Sequence, residues 1–228
     1  MGEVQEGRSK YYTPNEVALH NTSADCWISF LGKVYDLTNL INQHKGGKRD
    51  LTSPILAMAG NDISHWFNQV TGDLKTYVDA EKGIVRYYTP HGDLLHIPPS
   101  EPRSDYNNDF GRPWWKDRRY EVGTLTKKPR KLRIVNTLTS QQHIIEVCSE
   151  ETMLEILARY ICYNSHAESY TWKYKGEELD KTKTLEENGI LDEDFELEEL
   201  GMDPEQWIPA IHIYFNDDLR SHYEKNTA

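Results

Sequence analysis

Four prolines, Pro98, Pro99, Pro102 and Pro113, fall within residues 97–113 alongside a cluster of Asn, Asp and Gly. Proline lacks the N–H that a helix interior or a central strand must donate, so no long helix or inner strand can cross this stretch. A chain of 228 residues has room for two domains of about 100 residues each, and the proline-rich stretch is where it should divide. Residues 97–119 are therefore read as a linker between a first domain at 11–96 and a second at 120–219, with tails at 1–10 and 220–228. Tyr106, Phe110, Trp114 and Trp115 are costly to leave in water, so the linker is expected to be pinned onto one of the domains.

The charge balance narrows the choice of partners. The net charge is −11, from 37 acids against 26 bases, which opposes nucleic acid and anionic membrane surfaces. The excess lies in the second half: residues 101–228 hold 26 acids and 17 bases, with nine Lys or Arg in 112–133 and ten Asp or Glu in 186–205. Such polarity suits either two solvated faces or a docking surface. Apolar runs are only a few residues long, far short of the roughly 20 that cross a bilayer, and the basic and acidic N-terminus has no apolar leader. The chain is thus expected in the cytoplasm. Three scattered cysteines, Cys26, Cys148 and Cys162, without C-x-x-C spacing, read as reduced thiols.

In the first half, Thr13 three residues before Glu16 forms a capping box with Pro14 at the first helical position, so a short helix should start there. Residues 26–37 are rich in aromatic and β-branched side chains broken by Leu31-Gly32-Lys33, the pattern of a hairpin. Residues 38–43 then form a helical turn that delivers His44-Lys45-Gly46-Gly47. Short helices are expected near 51–59 and, after a cap at Asp62, near 63–68.

Taken in order, Tyr12-Thr13-Pro14, His20-Asn21, Cys26-Trp27-Ile28, residues 32–38, His44-Lys45-Gly46-Gly47 and Ala59-Gly60-Asn61-Asp62 resemble a cytochrome b5 haem-binding domain. The resemblance implies a pocket between pairs of short helices in which two histidines hold the iron of haem b. His44 occupies the position of the first ligand, with Lys45 where the family has proline. The second histidine should fall near Gly72, yet no histidine occurs from 68 to 77. His65 lies several residues early, and Tyr77 is a further candidate because a phenolate can hold haem iron in related steroid-binding-protein-like domains. Leu40, Ile41, Leu51, Ile55, Leu56, Met58, Trp66, Phe67, Val70 and Leu74 could line a porphyrin slot or pack on one another.

In the second half, residues 131–136 and 143–147 read as a hairpin. Ser149 then caps a helix whose apolar residues Met153, Leu154, Ile156, Leu157, Tyr160 and Ile161 form one stripe. Residues 170–179 alternate and turn at Gly176, and residues 208–215 supply a last strand. Strand, strand, helix, strand, strand is the order of a β-grasp, and residues 172–190 look like the distal half of ubiquitin, with an acidic insertion at 191–207. The fold class is therefore α+β: a cytochrome b5-like domain followed by a ubiquitin-like one. The chain ends without paired glycines, so this half reads as a protein-binding module and not a modifier.

No nucleophile elbow, P-loop, dinucleotide fingerprint or zinc-protease motif occurs, so intrinsic catalysis is not expected. The remaining histidines, His91, His96, His143, His166, His212 and His222 among them, show no zinc spacing and read as surface or packing residues. The two-domain order is similar to the family called cytochrome b5 domain-containing protein 1, along nearly the whole chain. That resemblance implies a component of the cilium axoneme and its cytoskeleton, associated with radial spoke and other axonemal proteins and needed for coordinated beating, with a b5-like domain that binds haem and senses redox state. Association with microtubules would follow if the basic stretch faced acidic tubulin tails. The alternative is a soluble electron-transfer haemoprotein, and a third reading is an adaptor in ubiquitin signalling.

Overall fold

A computed structural model describes residues 10–45, 50–99 and 109–216. Two compact units divide between Leu125 and Thr126.

In the first unit the chain runs β1 (Tyr11–Tyr12), α1 (Pro14–Leu19), β2 (Asn21–Thr22), β3 (Asp25–Phe30), β4 (Lys33–Asp36), α2 (Thr38–His44) and α3 (Ser53–Ala57). It continues through a hairpin of β5 (Thr76–Val78) and β6 (Val85–Tyr87) and ends on β7 (Glu121–Leu125). The capping box at α1 forms as the sequence requires: Thr13 Oγ1 accepts from the Glu16 N–H at 3.2 Å, and the Glu16 carboxylate accepts from the Thr13 N–H at 2.8 Å. The β3–β4 hairpin turns at Leu31 and Gly32, both with positive φ, and pairs Ile28 with Tyr35. The expected helix at 63–68 is only a 3-10 turn over Ser64–Trp66, because the Asp62 carboxylate ties up the Ser64 N–H at 2.9 Å and Phe67 is already extended.

One expectation needs correcting. The second domain does not begin at residue 120, and residues 97–119 do not connect two domains. β7 closes the sheet of the first unit, in the order β1-β7-β4-β3-β2, parallel to β1 and antiparallel to β4. Sequence alternation can identify a strand here but not its partner. The fit is set by Gly123: a β-carbon there would lie 2.4 Å from the Lys10 carbonyl oxygen and 2.7 Å from the Tyr12 ring. The former linker is thus an insertion within the unit, and its pinning is real. Leu94, Leu95, Ile97, Trp114 and Trp115 are buried in one cluster with Phe30, Leu40, Ile41, Ile55, Trp66, Phe67 and Leu74. Phe30 stacks on Phe67 at 4.4 Å between ring centres, and Trp114 meets Phe67 edge-on at 6.3 Å. Asp73 ties the insertion down, accepting from Trp115 Nε1 at 3.3 Å and pairing with Lys116 Nζ at 2.6 Å. Tyr106 lies outside the described residues.

The second unit contains β8 (Pro129–Asn136), β9 (Gln142–Cys148), α4 (Met153–Tyr160), β10 (Tyr170–Tyr174), β11 (Glu177–Glu178), α5 (Asp194–Glu199) and β12 (Ala210–Phe215). Its sheet has the order β11-β10-β12-β8-β9, with β12 parallel to β8 and its other neighbours antiparallel. This is the ubiquitin-like β-grasp, reached by topology alone. Met153, Ile156, Leu157 and Tyr160 of α4 pack on Leu132, Ile134, Trp172, Ile211 and Ile213. The cap of α4 is Thr152 rather than Ser149, since Thr152 forms a complete capping box with Glu155 while the Ser149 hydroxyl is spent on the Lys128 carbonyl. The acidic insertion is anchored by buried Arg130, which donates to the carbonyls of Ile190 at 2.8 Å and Leu191 at 2.6 Å. Among the described residues no helix is long and apolar enough to cross a membrane.

Candidate haem-binding site of the first unit

α2 grows from the end of β4, where the Asp36 carboxylate accepts from the Thr38 N–H at 2.9 Å and Thr38 Oγ1 accepts from the Cys26 N–H at 3.0 Å. Leu40 and Ile41 bury one face of this helix, and His44, four and three residues on, emerges above them at its C-terminal end. The ring is exposed, and its Nδ1 meets the Leu40 carbonyl at 2.9 Å. A carbonyl can only accept, so the ring proton sits on Nδ1 and Nε2 carries a free lone pair. That is how an imidazole is prepared as a metal ligand. Gly46 and Gly47, read as giving the turn its room, lie outside the described residues.

The other two candidates do not join it. His65 is exposed on the 3-10 turn, with its ring 6.1 Å from that of Trp66, at the edge of a cavity lined by Asp62, Phe67, Val70 and Lys75. Tyr77 is half exposed on β5, opposite Arg86. Gly72, where the family spacing puts a histidine, turns the chain with φ +67°.

Beside His44 the structure places a residue that sequence reasoning set aside. The His96 ring centre lies 6.1 Å from that of His44, with the planes at 81°. His96 is half-buried within the apolar run Leu94-Leu95-His96-Ile97, stacks on Phe110 at 4.4 Å, and accepts from the Trp114 N–H at 3.0 Å through Nδ1. Its φ is +65°, a conformation that costs a non-glycine residue about 1 kcal/mol or more and persists only where the surroundings enforce it. Burial, and then the neighbouring His44, hold its pKa below the ordinary imidazole value. The signal available in the sequence was a lone histidine inside an apolar run ahead of two prolines, too common a pattern to single out.

The slot-lining set behaves as a packed core with an open rim. Leu40, Ile41, Ile55, Trp66, Phe67 and Leu74 are buried together, Leu51, Leu56 and Met58 pack at their edge, and Val70 is 93% exposed. The indole N–H groups of Trp66 and Trp114 are buried without an acceptor, so this cluster holds polar capacity that its own side chains do not use. Among the described residues no group of three or more His, Cys, Asp or Glu could hold a metal ion. Two neighbouring imidazoles, such as His44 and His96 present, are a donor set that haem iron accepts.

Residues 13–125 match the family described as Cytochrome b5-like Heme/Steroid binding domain, a span that includes β7 and the insertion. Cytochrome b5 domain-containing protein 1 of Xenopus laevis is 58% identical over 212 residues, covering 93% of this chain and 97% of its own. The human protein of that name is 54% identical over 217 residues, covering 95% and 94%. Among solved structures, Caldiarchaeum subterraneum ubiquitin aligns with 40% of this chain and 99% of its own at 17% identity and a TM-score of 0.31.

Proposed function

Because the chain belongs to the cytochrome b5 domain-containing protein 1 family, we propose that it is a non-catalytic component of the motile-cilium axoneme, associated with radial spokes and needed for coordinated beating, whose b5-like unit binds haem and reports redox state. Haem bound there would supply a one-electron iron couple. The observation that carries the reading is that the likeness runs through both units, over 93–95% of the chain, and not through the b5-like unit alone. The second unit supports a contact role. Its acidic insertion leaves Phe195, Leu200 and Trp207 more than half exposed among carboxylates, of which Asp192 and Asp194 pair with Lys128, an apolar and acidic face of the kind that meets a basic partner.

The full-length protein, tagged and expressed in motile ciliated cells, should remain with the axoneme after the membrane and soluble matrix are extracted, together with spoke proteins. Loss of the chain should uncouple beating between neighbouring cilia. Full recovery in the soluble matrix, with normal beating in its absence, would overturn the reading. The fixed tautomer of His44 favours one other reading, a soluble electron carrier. It predicts rapid reduction of the haem-loaded chain by a cytochrome b5 reductase and no axonemal retention.

A further inference from the structure

The geometry points to His96, which directly precedes the insertion, as the second haem ligand opposite His44. This rests on the haem reading above and departs from the family position, which is Gly72 here, and from His65 and Tyr77. Two metal–nitrogen bonds of about 2.0 Å, plus the offset from each nitrogen to its ring centre, separate two axial imidazoles by roughly 6 Å; the His44 and His96 centres are 6.1 Å apart. Nδ1 of each ring is engaged by the backbone, donating at His44 to the Leu40 carbonyl and accepting at His96 from the Trp114 N–H, so Nε2 is the nitrogen of each ring that remains to meet a metal. His96 is also held in place. Leu94, Leu95 and Ile97 anchor the chain on either side of it in the core, Phe110 stacks on the ring, and the backbone is kept at φ +65°. A ligand ring on rigid support is what a haem pocket needs, whereas the side chains of His65 and Tyr77 are exposed.

The two ligands are unequal. At His44 a backbone acceptor takes the ring proton, so the Nε2 lone pair is ready. At His96 a backbone donor sits on Nδ1, so the neutral ring carries its proton on Nε2. Binding through Nε2 would require the other neutral tautomer, with the ring proton shifted to Nδ1 and the hydrogen bond from the Trp114 N–H given up. His44 is therefore the anchoring ligand and His96 the exchangeable one, and iron coordination is coupled to the insertion that contains Phe110 and Trp114.

The test uses the full-length chain with one equivalent of ferric haem, followed by absorption and electron paramagnetic resonance. The wild type should give a low-spin, six-coordinate spectrum. His96→Ala should retain haem but turn high-spin and regain the low-spin spectrum when free imidazole is added, whereas His44→Ala should weaken haem retention roughly tenfold or more. His96→Asn is the folding-safe version, because asparagine tolerates positive φ and its amide oxygen can accept from the Trp114 N–H. It should melt with the wild type and still be high-spin. His65→Ala and Tyr77→Phe should match the wild type. A low-spin spectrum in both His96 variants, or its loss in His65→Ala or Tyr77→Phe, overturns the assignment of His96 alone. A wild type with no Soret band overturns the haem reading and this assignment with it.

Discussion

Substituting alanine for Gly123 tests the architecture of the first unit at its tightest point. The added β-carbon would stand 2.4 Å from the Lys10 carbonyl oxygen and 2.7 Å from Tyr12 Cε2, and neither can retreat easily. That oxygen accepts from the Thr124 N–H at 2.9 Å, the bond that joins β1 to β7, and Tyr12 is only 8% exposed, edge-on to Trp27 at 5.2 Å. Forcing β1 away stretches one backbone hydrogen bond, a net loss of about 1 kcal/mol, and overpacks a buried ring, which typically costs about 1–3 kcal/mol. A total near 2–4 kcal/mol is the outcome, large for a substitution in a segment that sequence alone reads as the start of the second domain. Amide hydrogen exchange on the full chain resolves it by unit. Protected amides of β3 and β4 should exchange roughly 30- to 700-fold faster, at about 1.4 kcal/mol per factor of ten, while β8, β9 and β12 stay at wild-type rates. Unchanged exchange in β3 and β4, or acceleration confined to β8 and β9, would refute the placement of β7 in the first unit.

Two further outcomes follow from the electrostatics. Burial, then Asp36 and Asp25, push the Cys26 thiol up to about 12, and Cys148 is buried while Cys162 is exposed. A maleimide at pH 8 should therefore label Cys162 in the native chain and reach Cys26 and Cys148 only after unfolding, as peptide mass spectrometry would reveal; early labelling of Cys26 would contradict its burial. The hydrogen bond from Lys116 holds the Asp73 carboxyl below its ordinary value. A depressed carboxyl stabilises the folded state above its unfolded pKa and stops doing so as pH falls through the folded value. Urea titrations should thus find wild type ahead of Asp73→Asn by less than about 1 kcal/mol at pH 7, since the pair is half exposed. The difference should vanish near pH 2, and an equal difference at both pH values would sink the linkage.

Much of the fold is legible locally. The capping box at Thr13, the Leu31-Gly32 turn, the helix ending on His44 and the alternating runs of the second unit each depend on residues a few positions apart, and each forms where the pattern puts it. The exceptions are instructive. Ser149 and Thr152 are both good cap residues, and the choice went to the one whose partner Glu155 completes the box. The proline-rich stretch does exclude a long helix or inner strand, but excluding an element does not make a segment a linker. The apolar residues in and just before it, Leu94, Leu95, Ile97 and the two tryptophans, find burial in the core of the first unit.

The candidate site divides in the same way. His44 and its readiness as a ligand follow from a helix of known length and an intrahelical carbonyl, so the amino-acid order alone determined them. The approach of His96, 52 positions later, and the return of β7 to pair with Lys33 across 91 positions were decided only in three dimensions. Contacts at such separation depend on which buried surfaces fit, as at Gly123 against Lys10, and no periodicity along a chain encodes that fit.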